Sequence, residues 1–231
     1  MSTNFLSLPG ELRNGIYELL LLRQEPIEPL DYCRRYELTP GLLRTSKTIH
    51  REASSLLYAQ NRFDFSTLTH KEVASFLEQI GRINANSVRH IIVSFPTIYL
   101  DRHDVTLEDD RVHLILAQIQ SDCAKLSTLT TSLYSAKIMK RKLDALDDPE
   151  LVAEALLLVD TRFRAILSLQ YEIIVQVYSN SLSDHIRKEM QSHGWTISAT
   201  NYWEVDSGFS LDWISDYSED QGCGHVDETF C

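Results

Sequence analysis

From residue 67 onward the chain alternates between two hydrophobic periods, and that alternation limits it to folds mixing helices with a sheet. "HKEVASFLEQIGRI" carries apolar residues three and four apart, as a helix that buries one face does, while "SVRHIIVSF" is β-branched and ends at Pro96. "LEDDRVHLILAQIQSDCAKL" returns to the helical period with Asp109 and Asp110 in its first turn, where the helix dipole favours negative charge. "STLTTSLYS" reads as a strand, and "DPELVAEALLLVDTRFRAIL" as a helix opened by Asp148 and Pro149. "LQYEIIVQVYS" is the clearest strand, "SLSDHIRKEMQSHG" a helix ended by Gly194, and "WTISATNYWEV" a closing strand. Four helix–strand units predict an α/β or α+β fold. The units share no repeated signature, so two layouts fit: an irregular, leucine-rich-repeat-like solenoid, or a compact sandwich with helices over one face of the sheet.

The first 66 residues behave differently. "FLSLPGELRNGIYELLL" predicts a helix starting near Pro9, with Ser7 placed to cap it and Glu11 in its first turn. Leu8, Leu12, Ile16, Leu19 and Leu20 fall three and four apart and are expected on one face. Gly15 weakens that helix by about 1 kcal/mol relative to alanine, so packing must hold it. Residues 23–41, with three prolines and mixed charge, form a connecting loop. Thr39 and Pro40 open a second helix, in which Leu42, Ser46, Ile49, Ala53, Leu56 and Leu57 face inward and Arg44, Lys47, Arg51 and Glu52 mostly outward. "NRFDF" alternates as a short strand.

Charge divides the chain again. The net charge is −11, yet residues 1–65 are neutral and the last twenty-eight residues hold eight acids and no lysine or arginine. Phosphate backbones need clustered positive charge, and "KIMKRK" is the sole basic run, read as a solvated helix face. Nucleic acid is therefore not an expected partner. No apolar run approaches the roughly 18 residues that span a bilayer, so no membrane is expected either. Four scattered cysteines suit a reducing compartment, and a cytoplasmic or nuclear location is expected. Past Ser210 periodicity ends, so residues 211–231 are expected to be a disordered acidic tail.

Chemistry-bearing motifs are absent: no phosphate-cradling loop, nucleophile elbow, zinc-protease helix or dinucleotide fingerprint occurs. "DRHDVTLEDD" gathers five acids and a histidine but reads as a solvated, capping loop before a helix. His113 reads as a core or rim histidine, and Trp203, Phe209 and Trp213 as aromatics sealing an edge strand. No catalytic residue, metal or cofactor is expected, and the chain is read as no enzyme.

"LSLPGELRNGIYELLL" followed by "LLRTSKTIHREASSLLYAQNRFDF" resembles the fungal F-box-like proteins over about a quarter of the chain. The family's Leu-Pro opening matches Leu8 and Pro9, its acidic position Glu11, and its apolar helix positions Leu12, Ile16, Leu19 and Leu20. Arg44 to Lys47 resembles the family's Arg-apolar-Ser-Lys stretch, while the tryptophan usual two residues later is Ile49 here. The resemblance implies an F-box-like helical module over residues 1–66, packed on an α/β domain over 67–210. It further implies that the module docks a Skp1-type adaptor of a cullin ubiquitin ligase, while the second domain presents an unknown protein substrate.

Overall fold

The computed structural model describes residues 4–30, 40–101, 104–107, 111–146, 148–166, 172–178 and 182–200. Among them the chain is a mixed α/β fold of eight α-helices and a five-stranded parallel sheet, with one antiparallel hairpin. The sheet strands are β1 (Arg62–Asp64), β2 (His90–Val93), β5 (Thr128–Thr131), β6 (Glu172–Tyr178) and β7 (Thr196–Thr200), lying side by side in chain order. The hairpin pairs β3 (Ile98–Asp101) with β4 (Asp104–Leu107).

A parallel sheet whose strands follow chain order repeats the same crossover, and a uniform right-handed crossover puts every connecting helix on one face. The core shows this. Phe63, Ile91, Val93, Leu129, Ile173, Val175 and Val177 share one face by register and join one apolar cluster. Into that cluster pack α3 (His70–Ile80), α5 (Arg111–Asp122), α6 (Leu133–Asp144), α7 (Pro149–Ile166) and α8 (Asp184–Ser192). Parallel strands covered on both faces bury consecutive residues, as the central strands β2 and β5 do at Ile91–Val93 and Leu129–Thr131, whereas β6 alternates, burying Ile173, Val175 and Val177 between more exposed neighbours.

The other face carries Arg62, His90, Thr128 and Glu172 in one row, then Asp64, Ile92, Thr130, Ile174 and Thr196. His90 Nε2 lies 2.7 Å from the Thr130 hydroxyl. Burial pushes the His90 imidazole down to about 4 from its ordinary 6.5; Arg62 adds to the shift and Glu172 opposes it. Between those two values the unfolded chain takes up a proton that the folded one refuses. Stability should therefore fall as pH drops from 6.5 towards 4, then level off for this group. After discounting for partial exposure the loss is about 2 kcal/mol. His90→Gln should flatten that acid limb in urea titrations at stepped pH; an identical limb in both proteins would show that His90 is not its source.

Several local expectations change. "STLTTSLYS" splits: the strand stops at Thr131, and Ser132 caps α6 by accepting the Ser135 N–H. "DRHDVTLEDD" is not simply a loop, because Asp104–Leu107 is β4, and the strand before it was not anticipated. The second N-terminal helix is broken into a 3-10 turn, Pro40–Arg44, and α2 (Lys47–Gln60), which Ser46 caps through the Ile49 N–H. The helix expected over "HKEVASFLEQIGRI" is broken at Gly81, whose φ of +80° ends α3, and a separate short helix, α4 (Arg82–Ala85), follows. Asp109, Asp110, residues 31–39 of the expected loop, the part of the expected closing strand past Thr200, the three aromatics Trp203, Phe209 and Trp213, and the acidic tail lie outside the described residues.

Helix α8 ends as its sequence predicts, in a left-handed glycine. Gly194 has φ +78°, its N–H donates to Gln191 O at 2.9 Å, and the Trp195 N–H donates to Met190 O at 3.1 Å. That pair of bonds satisfies two terminal carbonyls and aims Trp195 back at the core.

The N-terminal helices form a second, smaller cluster of Tyr17, Leu21, Ile49, Ala53, Leu56 and Leu57. Ile27 and Tyr58 pack against both clusters, and β1 is the edge strand of the main sheet. Ile27 extends that edge by one parallel bridge, accepting from Asp64 N at 2.9 Å and donating to Arg62 O at 2.8 Å.

Candidate functional site: the outer face of the first helix

Helix α1 (Gly10–Leu21) starts one residue after Pro9, which occupies the cap position without any side-chain cap. The Pro9 carbonyl instead accepts from the Leu12 and Arg13 N–H groups at 3.1 and 3.2 Å. Ser7 does not cap α1 as expected; its hydroxyl turns back to Asn4 O within a preceding 3-10 turn, Phe5–Ser7. A proline there has no N–H to leave unsatisfied and holds the entering chain extended.

The helix buries a different face from the one its leucines mark. Tyr17 and Leu21 are buried, and Arg13 sits one turn before Tyr17 on the same side. At 3.6 residues per turn, Leu12 and Leu19 lie roughly opposite Tyr17 and Leu21. They are 57% and 86% exposed. Leu20 is 38% exposed, Ile16 and Leu8 are half-buried, and Pro9 and Glu11 are exposed. The expected single inward stripe of Leu8, Leu12, Ile16, Leu19 and Leu20 is thus mostly an outer face.

Electrostatics decide the orientation. The Arg13 guanidinium donates to both carboxylate oxygens of Glu52 on α2, at 3.0 and 2.7 Å, and to Leu8 O at 2.6 Å. The Tyr17 hydroxyl donates to the same carboxylate at 3.0 Å. Phe5 packs on the Tyr17 ring with centroids 5.8 Å apart. Glu52, expected to face outward, is therefore turned towards α1. Its bond to Arg13, with help from Tyr17, holds its carboxyl below the usual carboxylate range, so the lock persists until pH falls through that lowered value. Burial and Glu52 push the Tyr17 phenol up. A forked arginine–carboxylate pair fixes orientation as well as distance, and here it also pins the Leu8–Pro9 corner through Leu8 O.

A buried amide completes the frame. Asn61 donates through Nδ2 to Leu21 O and Leu57 O, both at 2.9 Å, and accepts the Arg23 N–H at 2.9 Å. It thereby ties the ends of both helices to the start of β1. Neither this residue nor the Arg13–Glu52–Tyr17 set was anticipated; the only signal was the regular four-residue spacing of Arg13, Tyr17 and Leu21, hidden by the leucines.

Among the described residues, no group of three or more His, Cys, Asp or Glu side chains could hold a metal ion, and no helix is long and apolar enough to cross a membrane. His113 is half-buried, with Nδ1 2.8 Å from Arg162. No family model matches the chain, and no curated protein and no solved structure is significantly similar to it.

Proposed function

We propose that this chain is a non-enzymatic protein-interaction adaptor that docks a partner through the outer face of α1. The carrying observation is that Leu12 and Leu19 face solvent while Arg13, Tyr17 and Leu21 hold the helix from behind. An amphipathic helix of this kind lays exposed apolar anchors into a partner's groove, and a helix fixed beforehand loses little further freedom on binding. By the resemblance of its Leu8–Pro9 opening, the partner is the Skp1-type adaptor of a cullin ubiquitin ligase. The sheet, with strands in chain order and helices on one side, is read as an irregular solenoid of leucine-rich-repeat type. The domain built on this sheet would present the substrate.

A second reading makes α1 and α2 a brace for the sheet edge with no adaptor to bind; it draws on Asn61, which joins both helices to β1. One experiment separates them. Leu12→Gln with Leu19→Gln replaces exposed leucines by another good helix former, so stability should stay within about 0.5 kcal/mol of wild type. Recovery of purified Skp1-type adaptor on the immobilised protein should fall to background for the double variant. Equal recovery by both proteins, or none by wild type, defeats the docking reading, and the latter result favours the brace.

A further inference from the structure

A cavity of about 800 Å³ opens at the carboxyl ends of β1, β2 and β5, in the size range of small-molecule sites. Asp64 ends β1 there, Ser94 follows β2 and Ser132 follows β5. Parallel sheets generally receive ligands at this end, at a break between adjacent crossovers. Here the chain makes the break differently. After β2 it runs through Pro96 and Thr97 into the β3–β4 hairpin before reaching α5, and that detour walls the cavity.

The lining is sorted by chemistry. Arg111, first residue of α5, donates to Ser66 O at 2.9 Å and lies 3.5 Å from the Ser94 hydroxyl. Beside it the N-terminus of α6 points its Ser132 and Ser135 hydroxyls together, and Ser135 accepts the Phe95 N–H at 2.8 Å. From Ser135 the cavity wall follows one face of α6 through Ile138 and Met139 to Lys142, about 10 Å along the helix axis. Lys142 donates to Ile98 O at 2.8 Å and lies over the Tyr99 ring. Both cations make their hydrogen bonds to neutral oxygens: the Glu72 carboxylate, whose charge Arg111 feels, is itself bound by Thr69, and Asp64, the acid in the lining, accepts the Ser66 N–H.

We infer that this cavity binds an elongated organic anion. A carboxylate or phosphate head sits between Arg111 and the α6 N-terminus, an apolar body lies over Ile138 and Met139, and a second acceptor reaches Lys142. A cation whose hydrogen bonds go to neutral oxygens gains a charge-assisted bond when such a head arrives, and the helix dipole adds to it. This site is separate from the α1 face and stands whether or not that face docks an adaptor.

Calorimetric titration of the full chain with phenyl phosphate, with a biphenyl dicarboxylate and with neutral benzamide tests the assignment. Both anions should bind saturably and benzamide at least about tenfold more weakly. Arg111→Gln should weaken both anions about tenfold or more, whereas Lys142→Met should weaken only the longer dicarboxylate. Because Arg111 also braces Ser66, a third variant guards against misfolding. Ile138→Glu, at a position 41% exposed, puts a carboxylate in the cavity and should abolish binding of both anions while leaving the unliganded melting temperature near wild type. Failure of both anions to saturate, benzamide binding as tightly as they do, or wild-type binding by Arg111→Gln and Ile138→Glu would each overturn the inference.

Discussion

Trp195→Ala is expected to lower the unfolding free energy by about 3–5 kcal/mol, the cost of deleting a fully packed aromatic. Trp195 is 3% exposed and closes an aromatic group with Phe95 and Phe163, ring centroids 6.1 and 6.0 Å away. Its Nε1 donates to Asp160 at 2.7 Å, and Arg164 grips that carboxylate while donating to His193 O at 2.7 Å. The indole thus joins α7 to the turn between α8 and β7. Truncation removes the apolar contacts and leaves a void between rigid elements, which cannot collapse to fill it. Trp195→Phe separates the parts: it keeps most of the contact area and loses one hydrogen bond, but Asp160 retains Arg164, so the loss should be about 1 kcal/mol. Urea titration measures both, with the slope unchanged if the unfolded state is unaffected. A loss below about 1 kcal/mol for alanine would mean that the α7–α8 corner repacks freely.

Asn61→Ala should cost about 2–4 kcal/mol, although it removes few atoms, because it removes the buried amide that donates to Leu21 O and Leu57 O and accepts from the Arg23 N–H. Asn61 is 1% exposed, so water cannot replace the lost bonds without opening the structure. Asn61→Asp should be at least as damaging, since it sets a charged acceptor against two carbonyl oxygens. The loss should be local as well as global. Amide exchange in α1 and at the end of α2 should accelerate first, with β2, β5 and β6 staying protected. Uniform acceleration across the sheet would show that the two apolar clusters open as one unit and that Asn61 does not divide them.

Elements whose burial follows from their own periodicity were legible in the sequence. β6 alternates Ile173, Val175 and Val177 inward, α3 buries Val73 and Leu77 at its four-residue spacing, and Gly194 ends α8, each a pattern complete within one stretch of chain. The mixed α/β class follows from them. Hairpin β3–β4 was hidden because four-residue strands rich in Asp look like the acidic approach to a helix. The start of α6 was hidden because "TLTTSLYS" stays β-rich through Ser132, and only the Ser132 cap, visible in three dimensions, ends the strand.

For the candidate site the sequence supplied the residues and tertiary structure supplied their direction. Leu8, Leu12, Ile16, Leu19 and Leu20 form a genuine stripe, and in isolation that stripe would define the buried side of α1. Among the described residues α2 is the main neighbour of α1, however, and α2 offers Glu52 where Arg13 and Tyr17 satisfy it together. Leaving that carboxylate half-buried without its donors would cost more than exposing two leucines to water. Sequence periodicity counts apolar residues along one helix, whereas the facing charge belongs to a residue thirty-nine positions away. Periodicity along the chain therefore showed the longer helices, the strand β6 and which residues line each face of α1. The Arg13–Glu52 pair, a contact across the chain, decided which face points out.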